Sequence, residues 1–171
     1  MATLNPPAVR QQIADGKTDP IYLLQGEDEV EKSALAMEFE QIVEEGLRAF
    51  NVERIHVGEL TTGDRIVQGV GDLVAAVRTL PMMVPRRIVG VFQAPALRGP
   101  KRDSGAATEA MGDLELLFAT PEPQTTLVLV STALDKRTRM FKALQKHATI
   151  VACGVIEDLS AAEQWIRSRM R

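Results

Sequence analysis

Three stretches of this chain are nearly unbroken in apolar or β-branched residues: Ile21 to Gln25, Ile88 to Phe92 and Thr125 to Val130. Runs of that length without polar alternation predict strands covered on both faces. Two further strands are predicted at Asn51 to Val57, with less regular alternation and so partial exposure, and at Thr149 to Cys153. Between them the apolar period lengthens. Ile66, Val70, Leu73 and Val77 fall on one face of a helix over Gly63 to Val77, which Thr61 or Thr62 caps. Met111, Leu114, Leu117 and Phe118 do the same for Thr108 to Ala119, and Met140, Phe141 and Leu144 for a basic helix over Arg137 to Lys146. Helices are also predicted over Pro6 to Gly16 and over Asp28 to Glu45. In the latter, Val30, Ala34, Met37 and Ile42 recur at roughly helical spacing, and Gly46 marks an end or a pause. A last helix, Ala161 to Met170, begins after Ser160 with Glu163 completing a capping box.

Strands therefore alternate with helices five times. The pattern predicts an α/β fold: a five-stranded parallel sheet with helices on both faces. Residues 94–107, rich in Gly, Pro, Ala, Arg and Lys, show no period and are read as an exposed, mobile loop. Length and composition change little in this picture. The 171 residues are 45% hydrophobic and 25% charged, ordinary for a soluble domain, and only 4% aromatic, which makes the core aliphatic. No apolar run approaches the roughly 20 residues that span a bilayer. The single cysteine, Cys153, excludes an internal disulfide and fits a reducing cytoplasm. His56 and His147 lack a second ligand at metal-binding spacing.

Charge is uneven. Residues 1–60 hold 5 Lys and Arg against 12 Asp and Glu, whereas residues 61–171 hold 15 against 11. The basic part suits an acidic partner or DNA, through Arg98, Lys101, Arg102 and the face from Lys136 to Lys146. It equally suits a solvated mixed surface.

The first strand, the turn at Gly26 and the following helix have the order of a phosphate-binding loop. Gly26, Lys32 and Ser33 stand where G-x-x-x-x-G-K-[ST] requires them, but Glu31 replaces the second glycine. Glu27, Asp28 and Glu29 add carboxylates that a triphosphate would face, and they are better explained as first-turn complements to the helix dipole. No acid follows Phe92 to hold magnesium, and the next strand ends in Ser131-Thr132. No nucleophile–base arrangement is evident for Ser33, Ser104, Ser131 or Ser160. An active phosphate-loop hydrolase is thus disfavoured twice, and no cofactor is expected. The other unusual stretch is Thr79-Leu-Pro-Met-Met-Val-Pro-Arg-Arg87, in which two methionines sit between two prolines. Either one of Met82 and Met83 is an exposed anchor for a partner's pocket, or both cap the end of the sheet as core.

Three blocks carry a resemblance: Tyr22-Leu-Leu-Gln-Gly-Glu-Asp28, Thr79 to Val89, and Leu134-Asp-Lys-Arg-Thr-Arg-Met-Phe-Lys-Ala-Leu144. In this order they resemble the delta subunit of the bacterial DNA polymerase III clamp loader, from about Pro20 to the chain end. The resemblance implies an AAA+-type sheet whose nucleotide site has decayed, over residues 1–157. Residues 158–171 would be the first helix of an incomplete lid domain. It implies a non-catalytic subunit of the polymerase III holoenzyme that binds the sliding clamp (the beta subunit) and helps open it during DNA replication. Its other partners would be further clamp-loader subunits and, indirectly, primed DNA. An apolar pair, usually leucine and phenylalanine, enters a pocket on the clamp in that family. By position the pair is Met82 and Met83, with Leu80, Pro81 and Val84 shaping the turn and Arg86 and Arg87 free to meet acids on the clamp rim. Delta subunits are longer than this chain, so it is read as an N-terminal fragment or truncated product that binds a clamp without assembling a loader alone.

Overall fold

The computed structural model describes residues 3–57, 62–94, 105–132 and 134–154. The elements follow as β1 (Thr3–Leu4), α1 (Pro6–Ala14), β2 (Ile21–Gln25), α2 (Glu29–Glu40), a 3-10 turn (Glu45–Leu47), α3 (Arg48–Asn51), β3 (Val52–His56), α4 (Gly63–Arg78), β4 (Arg87–Phe92), α5 (Gly105–Ala119), β5 (Thr125–Ser131), α6 (Arg139–His147) and β6 (Thr149–Ala152). The strands form one parallel sheet in the order β1-β6-β2-β5-β4-β3. The expected five strands are all present, and the sheet has a sixth. Thr3 and Leu4 pair with Ile150 and Val151 at one edge, and two residues are too few to show a period.

Alternate residues of the central strands feed two cores, as the two-residue period of a strand requires. Tyr22, Leu24, Ile88, Val128, Val130 and Val151 pack with Val9 of α1 and Leu35, Ala36 and Phe39 of α2. Ile21, Leu23, Val89, Val91, Leu127 and Leu129 pack with α4, α5 and α6. The links through α1 and α2 move one way across the sheet and those through α4, α5 and α6 move the other. Face and direction thus change together, as crossovers of one hand demand.

The four residues expected on the inner face of α4, namely Ile66, Val70, Leu73 and Val77, are all buried. The helix α2 departs from expectation. Val30 and Met37 are exposed, and its buried residues are Glu31, Lys32, Leu35, Ala36 and Phe39. The helix also stops at Glu40 rather than Glu45, and Gly46 lies in a pause before α3. Two charged residues on the buried face disguised it, because Arg10 and the Ser131 carbonyl, which complete their pairing, lie far away in sequence. Residues 105–107 of the expected loop belong to α5, while residues 95–104, with Arg98, Lys101 and Arg102, lie outside the described residues. So does the expected helix at 161–170 with its cap Ser160.

Candidate functional site

In a parallel sheet all carboxyl ends lie together, and ligand crevices form there, where the chain's direction across the sheet reverses. The Gly26 loop sits at this end, between the ends of β5 and β6. The Gly26 N–H donates to the Thr132 carbonyl at 3.2 Å, and the Asp28 N–H to the Cys153 carbonyl at 3.3 Å. Gly26 has φ +133°, and a Cβ there would lie 1.7 Å from the Cys153 oxygen. Gly154 answers it with φ +95°, where a Cβ would lie 2.7 Å from the Asp28 nitrogen. The two backbones touch, and only glycine permits it.

Lys32 is fully buried. Its Nζ donates to the Gly26 carbonyl at 2.7 Å, the Ser131 carbonyl at 2.9 Å and Glu29 Oε1 at 2.7 Å. An ammonium has three protons, and each has an acceptor within the protein. Asp28 caps α2 by accepting the Glu31 N–H at 2.8 Å, and Glu31 Oε1 accepts from Arg10 Nη1 at 2.7 Å. Burial opposes the Arg10 charge, but hydrogen bonds to Glu31 and Glu38 outweigh it and raise the pKa of Arg10. Ser33 is exposed beside a cleft of about 430 Å³ that His56, Phe92, Gln93, Ser131 and Thr132 also line. Where a phosphate cradle would offer amides and a lysine, this loop presents a glutamate at the second glycine position and a lysine held by its own main chain. Among the described residues no group of three or more His, Cys, Asp or Glu is placed to hold a metal.

The second motif lies at the opposite, amino end of the sheet, between α4 and β4. The end of α4 leaves carbonyls without helical partners. Thr79 donates its N–H (3.0 Å) and its hydroxyl (2.8 Å) to the Ala75 carbonyl. Arg87 Nε donates to the Ala76 carbonyl at 3.2 Å, and Thr125 Oγ1 donates to that of Val77 at 2.8 Å. The chain then turns with Leu80 75%, Met82 52% and Met83 85% exposed. Pro81 and Val84 are half-buried. Met83 has φ +60°, the left-handed region. For a residue other than glycine this costs on the order of 1 kcal/mol and persists only where the surroundings impose it.

Those surroundings are specific. Asn51, fully buried, accepts the Met82 N–H on Oδ1 at 2.7 Å and donates from Nδ2 to the Met82 carbonyl at 2.9 Å. Arg87 is buried, and it donates to the Phe50 carbonyl at 2.6 Å and to Glu53. Arg86 donates to Thr126 Oγ1 at 2.9 Å, to the Thr18 carbonyl at 3.3 Å and to the Pro123 carbonyl at 3.2 Å. The structure thus gives both guanidiniums internal work: they tie the turn to α3, β5 and the loops beside it. Sequence reasoning placed the methionines but passed over Asn51. Nothing local distinguishes it from any polar residue opening a strand, because its partner lies 31 positions away.

A parallel sheet with helices on both faces and a strand–turn–helix at its reversal point places the chain in the α/β class. Residues 22–154 match the family described as DNA polymerase III, delta subunit, and the chain belongs to that family. No curated protein sequence matches it. Among solved structures it is similar to the Bacillus subtilis DNA clamp loader delta protein YqeN, with 26% identity and a TM-score of 0.67, over 86% of this chain and 42% of that one. It is also similar in fold to a DNA polymerase III gamma subunit-related protein of Thermotoga maritima. There the identity is 16% and the TM-score 0.60, over 90% of this chain and 47% of that one. The chain spans less than half the length of either.

Proposed function

We propose that this chain is a non-catalytic, clamp-contacting domain of a delta subunit, of AAA+ type with a decayed nucleotide site, which binds the sliding clamp and favours its open form. One observation carries the reading: Met82 and Met83 are exposed at the tip of a turn whose backbone is held rigidly from below. Exposed apolar side chains on a stiff frame are what an anchor for a hydrophobic pocket requires, since little entropy remains to be lost on binding. Methionine adapts its flexible thioether to such a pocket. Burying one side chain of this size contributes about 1.5–3 kcal/mol. Binding that is stronger to an open ring than to a closed one shifts the ring toward opening, with no transition state to stabilise. Arg86 and Arg87 act here as staples of the turn, and the anchors are Met82 and Met83, flanked by Leu80.

The carboxyl end takes no part in hydrolysis in this reading, because Lys32 is engaged by Gly26, Glu29 and Ser131. The place of action would be the bacterial cytoplasm, beside the other clamp-loader subunits. Surface plasmon resonance of the wild type and the Met82→Ala/Met83→Ala variant over the immobilised sliding clamp of the same organism tests the proposal. Loss of binding by a folded variant supports it, and equal binding removes it. A second reading has its own observation: Arg139, Lys142 and Lys146 are all exposed along α6, next to exposed Lys136 and Arg137. That stripe suits weak contact with DNA phosphates and predicts an affinity that falls steeply with salt.

A further inference from the structure

The turn takes its shape from a side chain that is not part of it. Leu80, Met82 and Met83 are too exposed to be held by packing, yet Met83 is kept at φ +60°. Both polar groups of Met82, its N–H and its carbonyl, go to the single carboxamide of Asn51. The same Nδ2 also donates to the carbonyl of Leu47, the residue that caps the start of α3, at 2.9 Å, which fixes the amide plane from a second side. One residue before it, the Phe50 carbonyl is held by Arg87, so the Asn51 backbone is itself anchored to the start of β4. A carboxamide offers an acceptor and donors in one plane, whereas aspartate lacks the donors and a hydroxyl cannot reach both groups at once. Two bonds to one residue's backbone fix its orientation as well as its position.

We propose that Asn51 is a positioning residue for the clamp contact: it holds the Met82 backbone so that Met82 and Met83 stand in their binding arrangement before the clamp arrives. The inference rests on the reading of these methionines as the anchors. Without the Asn51 bonds the turn samples other shapes. The apparent affinity then falls by the fraction of time spent in the competent one, and the ordering cost moves into the binding step.

The test uses the full chain carrying Asn51→Leu, which keeps the branched shape at a larger volume and removes both bonds to Met82, and Asn51→Ser, which is smaller and less disruptive to the core. Amide hydrogen exchange is read at Met82 and across β2 and β5, and clamp binding is measured on the same samples, alone and with Met83→Ala. We expect Met82 exchange to rise at least about tenfold while β2 and β5 stay protected, and clamp affinity to fall about tenfold. Combined with Met83→Ala, the Asn51 effect should shrink, because the two act through one contact. A merely structural residue would release β2 and β5 together with Met82, in Asn51→Ser as in Asn51→Leu, and that result overturns the proposal. Wild-type affinity in a variant with Met82 released overturns it too, as do losses that simply multiply. The Met82→Ala/Met83→Ala control separates the two levels. Equal binding there removes the anchor reading and this one with it. Lost binding there, with unaffected Asn51 variants, removes only the role of Asn51.

Discussion

The two ends of the sheet use similar materials for opposite purposes. At the carboxyl end, polar groups turn inward: Lys32 binds two carbonyls and a carboxylate, Glu31 binds Arg10, and Gly26 packs on Cys153. At the amino end, polar groups also turn inward, through Asn51, Arg86 and Arg87, but the side chains they leave outside are apolar. The first arrangement engages the polar groups a ligand would need, and the second leaves apolar side chains exposed. β4 is six residues long and separates the ends by roughly 20 Å. A surface at the amino end lies away from the crevice where parallel α/β proteins hold their ligands. The loop's shape alone does not make a ligand site; what matters is whether its polar groups remain available.

Substitutions at the two ends should separate stability from binding. The largest effect is expected for Gly26→Ala. The added Cβ overlaps the Cys153 carbonyl in a backbone conformation hostile to L-residues, and urea unfolding should show a loss of at least about 3 kcal/mol. At the other end, the Met82→Ala/Met83→Ala variant should lose about 100-fold in clamp affinity, near 2.7 kcal/mol. Its unfolding free energy should stay within about 0.5 kcal/mol of wild type. A large loss of stability there would mean that the methionines are core and would erase the contrast.

Lys32→Met keeps the apolar stem and removes the ammonium, leaving the Gly26 and Ser131 carbonyls short of a donor. A loss of about 2 kcal/mol is expected. Magnesium-ATP should shift the melting temperature of neither protein. A shift in the wild type that Lys32→Met abolishes would return the loop to nucleotide binding. The smallest effect, taken over a single pH unit, concerns pH. Burial, with a further push from Glu31, raises the Cys153 thiol from 9.0 to about 12, and burial raises the Tyr22 phenol from 10.0 to about 12. Both groups are neutral when protonated. Between about pH 9 and 12 the unfolded chain releases protons that the folded chain keeps, so stability is full below pH 9 and falls as pH rises. One group contributes at most about 1.4 kcal/mol per pH unit. Cys153→Ala should flatten the slope between pH 9 and 10, as followed by denaturant melts at each pH.

Much of this architecture was legible in the chain. Ile21 to Gln25 was read residue for residue and the inner face of α4 in all but Ala76, because in both cases local periodicity and burial coincide. So was the strand–turn–helix order around Gly26, with β2 before it and α2 after it. What escaped depended on contacts between distant parts of the chain. The buried face of α2 includes Glu31 and Lys32, and their burial is intelligible only with Arg10 on one side and the Ser131 carbonyl on the other. β1 exists because β6 offers it an edge. The exposure of Met82 and Met83, left open by the sequence, goes with Asn51 holding the Met82 backbone, next to a Phe50 carbonyl that Arg87 holds. Sequence alone determined the order of elements, since hydrophobic period and turn chemistry act over a few residues. Tertiary structure decided which polar groups were consumed and which apolar ones were left outside, because a buried charge or amide needs partners that only the folded chain brings within reach.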